Sequence, residues 1–218
     1  HAVGAVYRNS DPSDIVVTAA GGLVGEVVQI WKPKELNTFE TEWGFSCMSY
    51  EISGALGIKM AKPDQDVIVF VGDGSYLLQN SDIYSSVLYD KKLIIVVCDN
   101  GGHMVINRLQ LAKGGNEYLC NLNAARATNV QFVDFEAHAK SMGANGETVK
   151  SISELEAAFK RAKESDKTYV ISMKTDGYEW LEGTAFWESP TLEVDNTEGK
   201  KSALSEFLEG KNKQRKGV

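Results

Sequence analysis

This chain of 218 residues is short of cationic charge: 23 lysines and arginines stand against 30 aspartates and glutamates, giving a formal charge of -7 and a pI near 5.1. A nucleic-acid groove or an anionic membrane surface needs a cationic face, so neither is an expected partner, whereas a small-molecule ligand stays open. Cysteine is scarce too. Cys47, Cys98 and Cys120 fall in no zinc-like or disulfide-framework spacing, and that usage suits a reducing cytoplasm. Long hydrophobic runs are missing: the strongest, Leu93 to Cys98, has six residues, against the roughly 20 that a membrane helix needs. The opening HAVGAVYRNSDPSD has neither the basic start nor the apolar middle of a signal peptide. With no initiator methionine, the chain reads as a fragment of a longer one. It contains no GxGxxG and no GxxxxGKS/T, which counts against a nucleotide site, and no internal repeat.

What is present is enough apolar content, 43%, to bury one substantial core. Short apolar runs bounded by turn residues predict strands at Ile15 to Thr18, Val67 to Val71, Leu93 to Cys98 and Tyr169 to Met173, with one more within GANGETVK. Their near-continuous hydrophobicity implies burial on both faces. Helical patterns alternate with them. Met48, Ile52, Leu56 and Met60 share a face over Ser46 to Ala61, another helix begins at Asp134, and Ser153 with Glu156 reads as a capping box before LEAAFKRAKES. The expected fold is therefore α/β, a parallel sheet of five or six strands with helices on both faces. Residues 1–190 form the expected core domain, and residues 191–218 a charged extension with a terminal helix over SALSEFLEG.

Two loops stand out for chemistry. FVGDGS follows the strand at Val67 to Val71, and DNGGH follows the strand at Leu93 to Cys98. Ligands of open parallel sheets bind beyond the carboxyl ends of strands. Gly72 and Gly74 let the backbone turn and approach a ligand, while Gly74 and Ser75 present N–H groups that suit a phosphate. Asp73 in the same spot would repel a bare phosphate, which predicts a bridging cation; magnesium fits, since it prefers octahedral oxygen coordination shared with phosphate oxygens. Asn100 offers an amide oxygen and Gly102 a backbone carbonyl. Together with two diphosphate oxygens, these ligands leave room for one water. Each triplet alone is more often a simple turn; their joint placement at two strand ends makes the pattern informative.

The longer stretch LGIKMAKPDQDVIVFVGDGS then carries a family resemblance. Leu56-Gly57, Pro63, Ile68, Phe70 and Gly72-Asp73-Gly74-Ser75 resemble the signature of thiamine diphosphate enzymes in every specified position, with Asp99-Asn100 where that family closes the motif with two asparagines. The resemblance implies thiamine diphosphate and Mg²⁺ as cofactors, with the metal held by Asp73, Asn100 and the Gly102 carbonyl. Upstream, TEWGFSCMSYEISGALG is similar to the segment that precedes the signature in acetolactate synthases and pyruvate decarboxylases. It implies that Met48 wedges beneath a bent thiamine, that backbone near Ser46 meets the aminopyrimidine, and that AAGGLVG touches the diphosphate through Gly22 and Leu23. The alternative for Met48 is ordinary helix core.

Within that family the likeness is strongest to the branch serving myo-inositol breakdown. EWGFSCMSYEISGALG, GDGSYLLQNSDI, DNGG with INRLQ, and YEWLEGTAFWE carry it, over residues from about 14 to 190. It implies hydrolysis of the carbon–carbon bond between the two carbonyls of trihydroxycyclohexane-1,2-dione, giving 5-deoxyglucuronate. Other readings are a 2-oxo acid decarboxylase or acetolactate synthase-like enzyme, and a non-catalytic phosphate-binding assembly module. Gly101-Gly102-His103-Met104 departs from the acidic, glutamine-containing loop of the synthases. The resemblance also places the glutamate that activates thiamine on a separate pyrimidine-binding domain of a partner subunit, in a homodimer or homotetramer, so this chain alone is expected to be inactive. Glu26, Glu42 and Glu51 then read as solvated or structural carboxylates. His103 either lines the site or is a hydrogen-bonded loop residue. Trp180, Phe186 and Trp187 either cover the cofactor or pack against the sheet or another domain.

Overall fold

The computed structural model describes residues 1–125, 129–181 and 197–214. In chain order the elements are α1 (Ala2–Asn9), β1 (Ile15–Thr18), α2 (Gly22–Ile30), β2 (Phe39–Thr41), α3 (Tyr50–Ala61), β3 (Val67–Gly72), α4 (Asp73–Leu78), α5 (Ser81–Leu88), β4 (Ile94–Asp99), α6 (Met104–Ala112), α7 (Phe135–Ser141), β5 (Asn145–Val149), α8 (Ile152–Glu164), β6 (Tyr169–Lys174) and α9 (Glu198–Lys213). A single 3₁₀ turn, Leu122–Ala124, follows α6. The strands make one six-stranded sheet in the order β2-β1-β3-β4-β6-β5, and every neighbouring pair is parallel.

The apolar runs are continuous because alternate residues feed two separate cores. Val16, Ile68, Phe70, Ile94, Val96 and Ile171 face α1, α2 and α8, meeting Val6, Val27, Trp31, Leu155 and Phe159. Val17, Val69, Val71, Ile95, Val97 and Val170 face the other way, toward Ile52 and Leu56 of α3, Tyr76, Ile83, and Phe135 and Ala139 of α7. The period of two along each strand thus fills both layers. Phe70 packs edge-on against Trp31 at 6.0 Å between ring centroids, and Tyr76 edge-on against Phe135 at 5.0 Å.

Two local expectations are revised, and two elements are added. The helix expected from Ser46 starts only at Tyr50, because Ser46 (φ 50°) and Ser49 (φ 78°) take left-handed backbone that cannot continue a right-handed helix. Met48 therefore lies in a turn, half buried, and not on the helix face. The cap of α8 is Ser151, two residues before the expected Ser153: Ser151 Oγ accepts from Glu154 N–H at 3.2 Å, and the Glu154 carboxylate accepts from Lys150 N–H at 2.8 Å. Each serine has a glutamate three residues on, and the spacing alone does not separate them. Finally, α1 and the edge strand β2 have no counterpart in the sequence reading; β2 is three residues long and shows no strand-like apolar run. Asp134 does cap α7, accepting from Ala137 N–H at 2.9 Å.

The topology decides where a ligand can sit. From β1 the chain steps outward to β2 and then returns to the opposite side of β1 to lay down β3. Such a reversal opens a crevice beyond the carboxyl ends of β1 and β3. Beyond the core, α9 docks against the turn after α6, where Gly114 and Gly199 backbones touch and Lys113 lies 5.4 Å from the Phe207 ring centroid.

Candidate functional site

The residues expected to hold the cofactor or metal lie at the end of β3 or in segments that follow β1, β2, β3 or β4 at this carboxyl edge. Asp73 follows Gly72, the last residue of β3, and is 4% exposed. Its Oδ1 accepts from Asn100 N–H at 3.3 Å, which joins the tips of β3 and β4. Burial pushes the Asp73 carboxyl above the usual range and neighbouring Asp99 adds to this, while the backbone N–H groups of Asn100 and Gly102 pull the other way. Asp99 itself is engaged by Lys174 at 2.6 Å.

Three oxygen-bearing groups converge here. One atom of the Asn100 carboxamide lies 2.9 Å from the Gly102 carbonyl oxygen and 3.1 Å from Asp73 Oδ1. Presented as nitrogen, that atom donates to both oxygens. Presented as oxygen, it completes a cluster of acceptors that only a shared cation reconciles. Among the described residues no group of three or more His, Cys, Asp or Glu side chains has metal-binding geometry, so a cation at the sheet edge would rely on such mixed amide, carbonyl and carboxylate oxygens.

Gly102 is held in place from outside. Its φ is 140°, and a Cβ there would stand 2.4 Å from the Cys120 carbonyl oxygen, so no other residue fits. The chain returning from α6 makes an antiparallel bridge from Asn121 to Gly102, flanked by His103 N–H to Cys120 O at 2.8 Å and Leu122 N–H to Gly101 O at 2.9 Å. A polar cluster anchors this return: the Glu117 carboxylate accepts from Asn107 at 2.8 Å and from the Tyr178 hydroxyl at 2.6 Å, and Asn121 donates to that hydroxyl at 2.7 Å. Sequence reasoning missed this group, because its members lie far apart in the chain and form no motif.

His103 caps α6, and its carbonyl accepts from Ile106 and Asn107 N–H. Its imidazole lies against Gly74, where a Cβ would be 2.5 Å from Nδ1. The ring is thus packed on the glycine turn next to Asp73. Gly22 and Leu23 open α2, with Gly22 facing Val105 of α6. Ser46 is exposed in the loop after β2. Glu42 shapes that loop by accepting from Phe45 N–H at 3.0 Å and Cys47 N–H at 2.7 Å, bonds that hold its carboxyl below the usual range. Glu26 accepts from Leu181 N–H at 3.2 Å. Trp180 stacks under Arg108, 4.1 Å from guanidinium carbon to ring centroid, near this edge. Phe186 and Trp187 lie outside the described residues.

A parallel sheet with a reversal at β1/β3 and a GDG turn on its edge defines a class, and comparison with known proteins agrees. Residues 19–173 match the family of the thiamine pyrophosphate enzyme C-terminal TPP-binding domain, and the chain belongs to that family. Among curated proteins it is 36% identical over 200 residues to the 3D-(3,5/4)-trihydroxycyclohexane-1,2-dione hydrolase of Halalkalibacterium halodurans, covering 89% of this chain and 31% of that protein. It is 35% identical over 199 residues to the enzyme of the same name from Bacillus subtilis, covering 88% and 30%. The chain thus spans about a third of the length of these relatives, with 31% the share in the first. Among solved structures, a thiamine diphosphate-dependent 4-hydroxybenzoylformate decarboxylase of Rhodococcus jostii RHA1 superposes with a TM-score of 0.68 at 20% identity, covering 80% of this chain and 32% of that one, which establishes the shared fold. Among the described residues no helix is long and apolar enough to cross a membrane.

Proposed function

We propose that this chain holds the diphosphate end of thiamine diphosphate through a magnesium ion, as part of an enzyme that hydrolyses trihydroxycyclohexane-1,2-dione to 5-deoxyglucuronate. The observation that carries the metal reading is the spacing at Asn100. Neighbouring ligands of an octahedral magnesium, each about 2.05 Å from the ion, stand about 2.9 Å apart, and the Asn100 carboxamide meets Gly102 O and Asp73 Oδ1 at 2.9 and 3.1 Å. Asp73 supplies the one protein charge and Asn100 and Gly102 neutral oxygens. The N–H groups of Gly74 and Ser75 are the donors for the phosphates, Gly22 and Leu23 approach them from the tip of β1, and His103 closes the side above Gly74. Met48 and backbone at Ser46 support the thiamine end.

When bound, thiamine diphosphate supplies a nucleophilic carbon that adds to a carbonyl and allows the adjoining carbon–carbon bond to break. This chain's part is to fix the cofactor's orientation and charge. The names of the relatives support the substrate; in this reading a pyrimidine-binding domain of a partner subunit, in a homodimer or homotetramer, completes the site. The test is made on the full-length protein. Calorimetry is expected to show thiamine diphosphate binding with Mg²⁺ and none in excess chelator; equal affinity in both would remove the metal bridge. Turnover of the cyclic dione without turnover of pyruvate is expected, and the reverse result would replace the hydrolase reading with a decarboxylase.

A further inference from the structure

We infer that Glu51 is a positioning residue: a buried carboxylate that clamps together the tips of three strands and thereby sets the cradle into which the cofactor fits. Glu51 sits in the first turn of α3 and is 1% exposed. Its Oε1 accepts from Ala20 N–H at 3.3 Å, immediately before the turn that presents Gly22 and Leu23. Its Oε2 accepts from Ser75 Oγ–H at 2.9 Å, two residues beyond Asp73. Ser75 Oγ in turn accepts from Ser49 N–H at 2.7 Å, the residue after Met48. The loop after β1, the turn that follows β2 and the turn after β3 are therefore tied to one side chain.

The bonding explains why a charged group is kept in an apolar layer. Burial opposes the ionised form and raises the Glu51 carboxyl, while donors from Ser75, Ala20 and Ser49 pull it back. An apolar residue would pack without that cost but leave Ala20 N–H and the Ser75 hydroxyl with no acceptor. Ser49, which takes φ 78° at the start of α3, is held through its N–H on Ser75 Oγ. The direct bond from Ser49 N–H to Ser75 Oγ joins the Met48 segment to the turn after β3, and Glu51 fixes the orientation of that hydroxyl.

The inference rests on the thiamine diphosphate reading for what the cradle holds, but not for the clamp itself. The full-length protein carrying Glu51→Ala is compared with wild type by amide hydrogen exchange and by calorimetric titration with thiamine diphosphate at saturating Mg²⁺. Protection of the Ala20 and Ser49 amides is expected to fall about tenfold and the Kd to rise by about tenfold, the scale of one lost hydrogen bond. Protection of Val69 and Val96 in the sheet stays as in wild type. Glu51→Gln, which still offers an oxygen to Ala20 and an N–H to Ser75 Oγ, is expected to restore most of the affinity. Unchanged protection at Ala20 and Ser49, or an unchanged Kd, in Glu51→Ala overturns the assignment. Should that variant not fold, Glu51→Asp, one methylene too short to reach both partners, is read by the same criteria. A wild-type protein that binds no thiamine diphosphate would overturn the proposed function instead, and the exchange measurement alone then decides the clamp.

Discussion

Asp73 and Gly102 put the sharpest demands on side-chain identity. Asp73→Asn removes the only charge offered to a cation while keeping a similar shape. It is expected to weaken metal-dependent thiamine diphosphate binding at least about 100-fold, near 2.7 kcal/mol. The thermal midpoint in chelator should not drop, because burial works against the Asp73 charge; a lowered midpoint would mark Asp73 as structural. Gly102→Ala forces a Cβ to within 2.4 Å of the Cys120 carbonyl at φ 140°. A cost of roughly 1–3 kcal/mol in urea unfolding is expected, with loss of the Asn121 bridge. Most of these residues were legible in the sequence because two such turns, each closing a buried strand, coincide with the longer signature from Leu56 to Ser75. The hold on Gly102 was not: Glu117, Asn121 and Tyr178 meet only through the return of the chain after α6, and nothing in their local context announces it. Glu51 was visible only as a carboxylate of structural or solvated kind, because its meaning lies in partners 24 and 31 residues away.

At the scale of elements, the sheet interior was the most readable part. Near-continuous Val and Ile runs permit only strands covered on both sides, and Phe70, fully buried between β3 and Trp31, shows the consequence. Phe70→Ala is expected to cost about 3–5 kcal/mol by denaturant titration; a loss well below that would mean that α2 collapses into the space. Elements held by context were harder to read. β2 survives as an edge strand through pairing with β1, not through an apolar run of its own, and α3 starts late because Ser46 and Ser49 follow the loop's geometry and not helical periodicity. The far edge offers a pH test. Arg161 donates to both oxygens of Glu147 at 2.8 and 2.5 Å, joining α8 to β5, and this holds the Glu147 carboxyl below its ordinary 4.5. Its contribution is therefore complete above about pH 4.5 and disappears as the pH falls through the lower folded value. Since both partners are partly exposed, Glu147→Gln should lose less than about 1 kcal/mol at pH 7. The gap should close toward pH 3 in parallel urea titrations; a gap constant with pH would mean that the charge contributes nothing.

For the whole molecule, the three glutamates singled out in the sequence are each engaged within the chain. Glu26 accepts from Leu181, Glu42 from Phe45 and Cys47, and Glu51 from Ala20 and Ser75. On the proposed reading the glutamate that activates thiamine belongs to a partner subunit, and none of these three serves the aminopyrimidine. Deuterium exchange at thiamine C2, followed by NMR after acid quench, is expected to run near the solution rate with this chain and orders of magnitude faster with the full-length protein; rapid exchange on the chain alone would send attention back to Glu42 and Glu51. The order β2-β1-β3-β4-β6-β5 also has a kinetic side. Because every pairing is parallel, each must wait for a crossover to close, and Val17 finds a partner, Val69, that lies 52 positions further along the chain. Long-range pairings of this sort slow folding. The crevice comes into being only once β1, β3 and β4 have met, so a ligand has nothing to grip in the collapsing chain. Added cofactor should leave the refolding rate untouched and act solely by slowing escape from the native state.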